Sequence, residues 1–327
     1  MAVSVWACAA LGARAAWAWD DFGHMEVAAV AYDGLTTAAK KRAAELLRLN
    51  PSYPNWIVGA RKAERDRVAF LRAATWADAI KNDGSVHTDK DDKPNLPTAA
   101  RNNGYDKDPL RHRYWHYINR PFSTDGTPLV EAAPPNVQTE IALFRSVLAA
   151  PGGDDGVKSY DLSWLLHLVG DVHQPLHCVA RFDKDNPEGD QGGNLVKISG
   201  NSAPAICDDP RYCPYPPTGD LHAFWDVVTG ESYCIAEVTA AAAALPKINP
   251  RSARAKILDE SIWVQEGADL AQSRVYVAPI GAGGGPFVVD AAYQKAAAAL
   301  ARERISLAGA RLANLLNDCF AREAAKP

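Results

Sequence analysis

Apolar residues recur at three- and four-residue intervals over most of the chain, the spacing that gathers them on one face of a helix. The pattern predicts helices over 25–33, 36–49, 61–82, 136–149, 159–174, 219–229, 232–245, 252–277 and 290–323, many of them rich in Ala, Leu, Glu, Lys and Arg. Runs alternating apolar and polar residues, the mark of a half-buried strand, are rare. Polar stretches bearing Pro or Gly at 83–109, 181–218 and 279–289 read as loops. Without a strand–helix rhythm a doubly wound sheet is excluded, and the expected fold is all-α: a single mainly helical domain with long loops. The GAGGGP stretch at 281–286 lacks the Lys-Ser/Thr of a phosphate loop and reads as a flexible connector.

Composition narrows the class. The 327 residues carry 35 Lys+Arg against 39 Asp+Glu and are 47% hydrophobic, which fits a globular protein and excludes a disordered tail, a coiled coil or a collagen-like fibre. A formal charge of -4 offers a polyanion no general attraction, so a nucleic-acid partner requires a local positive centre such as a bound metal. Residues 3–13, VSVWACAALGA, are too few to span a bilayer and are followed by the small-x-small pattern Ala16-Trp17-Ala18. Residues 1–18 are therefore expected to be a signal peptide, leaving a secreted or periplasmic domain over 19–327 with a formal charge of -5, since the segment removed holds one Arg and no acid. Of six Cys, Cys8 falls in the signal, and the other five are too sparse for a disulfide-stapled miniature. Cys207 and Cys213, flanking CDDPRYC, are the best candidate pair, with Cys234 and Cys319 as a second.

The eight His carry most of the chemistry, in WDDFGH (His24), YWHYIN (His116), HLVGDVHQPLH (His167, His173, His177) and HAFWD (His222), with only His87 and His112 in plain loop sequence. His167 with Asp171 and His222 with Asp226 are i,i+4 pairs, which on a helix aim a nitrogen and an oxygen donor from one face. One such pair is equally a surface ion pair; two, in apolar surroundings where unpaired polar groups are costly, point to metal. Pro175 ends the helix near Gln174 and lets His177 turn toward a different centre from His167 and Asp171. Trp76, Trp115, Trp164 and Trp225 adjoin the proposed ligands and are expected to wall the cluster. An α-amine at Trp19, freed by cleavage, is a further metal donor near neutral pH.

WDDFGH, TWADAIK, RYWHYIN, HLVGDVHQPLH, QGGN and HAFWD resemble, in order and spacing, the S-one/P-one or type I zinc-dependent single-strand nucleases, and more distantly the zinc-dependent phospholipases C. The resemblance runs from Trp19 to about Asp226, with the C-terminal hundred residues fitting only as generic helices. It implies three zinc ions: Asp78, His116, His167 and Asp171 on the first, His177, His222 and Asp226 on the second, and Trp19, His24 and the shared Asp171 on the third. It implies an endonuclease that cleaves single-stranded DNA and RNA to 5′-phosphate products and also acts on 3′-nucleotides. Asp78 and Asp171 would serve catalysis by a zinc-activated hydroxide. Lys81 would lie near the phosphate, Tyr117 would stack on a base and Asn119 would bond its edge, while His173 would support the ligands without being one. No membrane and no obligate protein partner are expected. Asp226, where phospholipases C carry Glu, and the HYIN pattern favour the nuclease over the lipase; a non-catalytic zinc-binding protein is the alternative from another class.

Overall fold

The structure, a computed structural model, describes residues 19–82, 87–88, 104–105, 108–200 and 218–325. Its centre is α7 (Asp155–Asp171), begun by Asp154, whose carboxylate accepts from Gly156 N, and buried on every side from Lys158 to Asp171. A helix apolar all round must be wrapped by others. Around it pack α1 (Asp21–Gly34), α2 (Thr37–Leu47), α5 (Trp76–Asn82), α6 (Val137–Ala149) and the long α12 (Ala291–Ala324). Asp20 and Asn136 cap α1 and α6 with their side chains, the latter in a capping box with Thr139. The shorter α3 (Tyr53–Trp56), α4 (Arg65–Ala73), α8 (Leu221–Val227), α9 (Ile235–Ala243), α10 (Ala253–Lys256) and α11 (Glu260–Leu270) complete an all-α architecture. One continuous apolar cluster runs from Trp19 to Phe320, as expected of a single domain.

Two predicted helices are each broken in two, for visible reasons. The helix expected over 61–82 stops at Ala73, where Thr75 Oγ1 turns back to Arg72 O at 3.0 Å, and restarts as α5. The one expected over 252–277 is interrupted between α10 and α11. There Trp263 Nε1 donates to Ile257 O, Arg145 to Leu258 O, and Arg311 Nε to Arg254 O, taking carbonyls that a continuous helix would have used.

The loops at 181–218 and 279–289 contain strands too short to alternate visibly. Parallel β1 (Arg120–Ser123) and β2 (Val179–Phe182) pair Arg120 with Val179, and β3 (Lys197–Gly200) lies between antiparallel β4 (Thr218–Asp220) and parallel β5 (Phe287–Val289). The GAGGGP stretch is anchored, contrary to its reading as a flexible connector: Arg181 donates to Gly281 O at 2.7 Å and to Gly283 O at 2.6 Å.

The expected Cys234–Cys319 pair does not form. Cys319 is a buried free thiol on α12 facing Arg145 O and is not bonded to Cys234. The other expected pair, Cys207 and Cys213, and the expected signal segment at 1–18 lie outside the described residues. Among the described residues no helix is long and apolar enough to cross a membrane.

Candidate metal centre

The C-terminal end of α7 carries His167 and Asp171 into the middle of the molecule, where donors from five other segments gather around them. His167 Nε2 lies 3.4 Å from Asp78 Oδ1, 3.3 Å from Asp171 Oδ2 and 3.0 Å from His116 Nδ1. His24, from the first turn of α1, stacks on His167 at 3.7 Å and puts Nε2 3.3 Å from Asp171 Oδ1. Past α7 the chain turns at Gln174–Pro175 into a short 3-10 helix, which carries His177 to His222 and Asp226 on α8. Three sets of converging donors result: His24, Asp78 and His167; His116, His167 and Asp171; His177, His222 and Asp226. Eight of the nine predicted ligand residues thus fall in one buried cluster. The ninth, Trp19, is wholly buried beside it, with Nε1 donating to Gly170 O at 3.1 Å.

On His167, His177 and His222, hydrogen bonds to carbonyls fix which nitrogen faces inward. His167 Nδ1 donates to Ala74 O, His177 Nδ1 to His116 O and His222 Nδ1 to Gly192 O, each at 2.7 Å. A carbonyl only accepts, so each Nδ1 carries a proton, and on the neutral rings of His177 and His222 Nε2 presents a lone pair. The Nε2 atoms of His177 and His222 nevertheless face one another at 3.2 Å, with Asp226 Oδ2 at 3.6 Å from the latter. Two lone pairs aimed at each other beside a buried carboxylate make a seat for a cation. Both nitrogens of His24, His116 Nε2, Asp171 Oδ1 and Asp226 Oδ2 are also buried without a hydrogen-bond partner. The donor set therefore fits divalent metal, and its N and O donors without thiolate suit hydrolytic zinc. The nearby Cys178 thiol is pushed up to about 12 by burial and turned to Val172 O.

Burial dominates the electrostatics. It pulls His116 and His177 down to about 3 and lowers His24 and His222, keeping these rings neutral and able to bind metal. Burial also opposes charge on His167, but Asp171 and Asp78 outweigh it and push that ring up to about 10. Asp78 and Asp171 are held well below the usual carboxylate range: against burial, Lys81 and His167 act on the first and His167 and His116 on the second. Asp226 is raised by burial despite the bond from Gln174 Nε2 at 2.8 Å.

Lys81, expected near a phosphate, is not a solvated helix Lys; it is buried with Nζ 2.5 Å from Asp78 Oδ1. Tyr117 and Asn119 line a cavity of about 480 Å³ with Tyr114, Phe182, Glu131 and Glu188, a volume suited to a small ligand. The cavity adjoins the donors, because Ile118 N donates to His177 O. The four expected Trp are all buried, and Trp164 meets Trp76, Trp115 and His116 edge-on. His173 has no nitrogen to spare for metal: Nδ1 donates to Val169 O and Nε2 accepts from Arg311. His112, in plain loop sequence, proves to be buried, bonded to Asp108 at 2.8 Å and stacked on Trp115 at 3.5 Å. Sequence reasoning passed over Gln174, and the carbonyls of Ala74, His116 and Gly192 have no side-chain signal to find.

A family model described as S1/P1 Nuclease matches residues 19–321. The chain belongs to the S1/P1 nuclease family. No curated protein matches it. Membership makes it a metal-dependent hydrolase of phosphodiester bonds with nucleic acid as substrate, and the three His/Asp groups are where the metal of an S1/P1 nuclease would be held. The match extends through α11 and most of α12, so these C-terminal helices, which the short motifs left generic, are part of the family fold.

Proposed function

We propose that this S1/P1 nuclease cleaves single-stranded DNA and RNA to 5′-phosphate products and dephosphorylates 3′-nucleotides, using three zinc ions. The observation that carries the metal requirement is the opposed pair of Nε2 lone pairs on His177 and His222. In this reading Asp78, His116, His167 and Asp171 hold one zinc, His177, His222 and Asp226 a second, and Trp19, His24 and the shared Asp171 a third, His24 also converging with Asp78 and His167. Bound zinc supplies water acidified to a pKa of about 7 and positive charge for the phosphodiester oxygens.

The residues of the chain do the rest. Asp171 faces His116 and His167 with one oxygen and His24 with the other, so it ties two ligand sets together. Lys81 neutralises Asp78 and offers a cation beside the scissile phosphate. Tyr117, 37% exposed at the cavity, stacks on a base whose edge Asn119 bonds. A base can enter only when free of its neighbours, so single strands are favoured over duplex; the stack contributes about 1–3 kcal/mol.

Export as a secreted or periplasmic protein, with cleavage after Ala18, would free the Trp19 α-amine as a donor. The test is zinc analysis of the processed protein together with hydrolysis of a single-stranded oligonucleotide, its duplex form and a 3′-nucleotide. Zinc-dependent cleavage of the single strand and the 3′-nucleotide is expected. Equal turnover of the duplex, or full activity after chelation, contradicts the reading.

A further inference from the structure

We propose that Gly170 is a positioning residue: its bare Cα is the seat on which His24 and Trp19 dock, and it decides whether the third metal binds. This rests on the three-zinc reading above. A Cβ at Gly170 would lie 2.7 Å from His24 Nδ1, 3.0 Å from His24 Cε1 and 3.8 Å from Trp19 Cδ1. The imidazole cannot simply recoil, because it is wholly buried and its ring stacks on His167 at 3.7 Å with 19° between the planes. Any shift also breaks its approach to Asp171 Oδ1, now 3.3 Å.

Gly170 acts a second time through its backbone, its carbonyl accepting from Trp19 Nε1 at 3.1 Å. Gly23 completes the seat, since a Cβ there would come 2.8 Å from Trp19 Cβ and push the indole off α1. Backbone freedom does not account for a glycine at 170. The residue lies within α7 and is not among the positive-φ positions, where only glycine sits easily. In such a place Ala is the better helix former by about 1 kcal/mol. Helix propensity and the His24 contact therefore predict opposite outcomes for one substitution.

The experiment compares wild type, Gly170→Ala, His24→Ala and the double variant as processed, zinc-loaded proteins. It measures zinc per chain, thermal melting, and hydrolysis of a single-stranded oligonucleotide. Gly170→Ala should stay folded and helical, lose one zinc relative to wild type, and fall at least about tenfold in turnover, the scale of disturbing a metal's outer support. His24→Ala should lose the same zinc, and the double variant should lose no more than either single one, because Gly170 acts through His24.

Wild-type zinc content and turnover in Gly170→Ala overturns the proposal, as does an additive loss in the double variant. If Gly170→Ala does not fold, Gly23→Ala, which crowds Trp19 alone, must lose the same zinc for the seat to stand. A zinc difference in a wild type that hydrolyses nothing supports the seat and removes the nuclease reading. A wild type without zinc removes both.

Discussion

His167 shows how a single side chain can be committed from both ends. Its Nδ1 proton goes to Ala74 O, and its Nε2 is left facing Asp78, Asp171 and His116. His167→Ala should strip zinc and lower turnover by at least about 100-fold, measured by metal analysis beside the oligonucleotide assay. Normal turnover with full zinc would remove His167 from the ligand set. Tyr117→Ala should instead keep its zinc and raise KM by about 5- to 150-fold, the equivalent of losing about 1–3 kcal/mol of stacking. Loss of metal in that variant would make Tyr117 part of the scaffold. At this scale the sequence was highly legible, because i,i+4 His/Asp pairs announce two of the donor sets directly. The partners that orient the rings were not, since three of them are main-chain carbonyls brought close only by the fold.

Between residue and molecule, the longer helices were legible in place, but the short α3 and the interruptions were not. Apolar periodicity continues through 73–76 and 256–260 because both halves of each predicted helix face the same core. The breaks are set by long-range partners. Opening at Ala74 frees the carbonyl that His167 uses, so the interruption between α4 and α5 serves the site. Behind the turn that follows α7, Arg304 Nε donates to His173 O at 3.2 Å, Arg311 donates to His173 Nε2, and both guanidinium groups meet Glu266. Arg311 is fully buried and its bidentate contact to Glu266 spans α11 and α12. Arg311→Met should cost about 3 kcal/mol in denaturant unfolding, the scale of breaking a buried pair by removing one partner. A loss below about 0.5 kcal/mol would show that the turn is held by packing alone.

At the scale of the whole molecule, the far end of α12 is tied to α2 and α7. Glu323 receives Arg42 Nη2 at 2.5 Å and Lys158 Nζ at 2.7 Å, while Arg42 also grips Asp155. Burial raises Glu323, but Arg42 and Lys158 outweigh it and lower the carboxyl below its ordinary 4.5; Arg42 lowers Asp155 likewise. A depressed carboxylate contributes stability above its unfolded pKa and loses it as pH falls through the folded value. Glu323→Gln should therefore melt below wild type at pH near 7, by about 1–3 kcal/mol for the bonds to charged groups, and the gap should close on acidification below the carboxylate range. A gap independent of pH would assign the effect to shape. None of these ties could be read from the sequence, because Arg42, Asp155 and Glu323 lie in three distant helices that share no local pattern.

The Trp19–Gly170 hydrogen bond joins residues 151 apart in the chain, and the remaining donors reach as far as Asp226. No single helix owns a complete set, so the centre forms only once α1, α5, α7 and α8 have come together. Metal uptake is therefore a property of the assembled fold rather than of any stretch of chain within it.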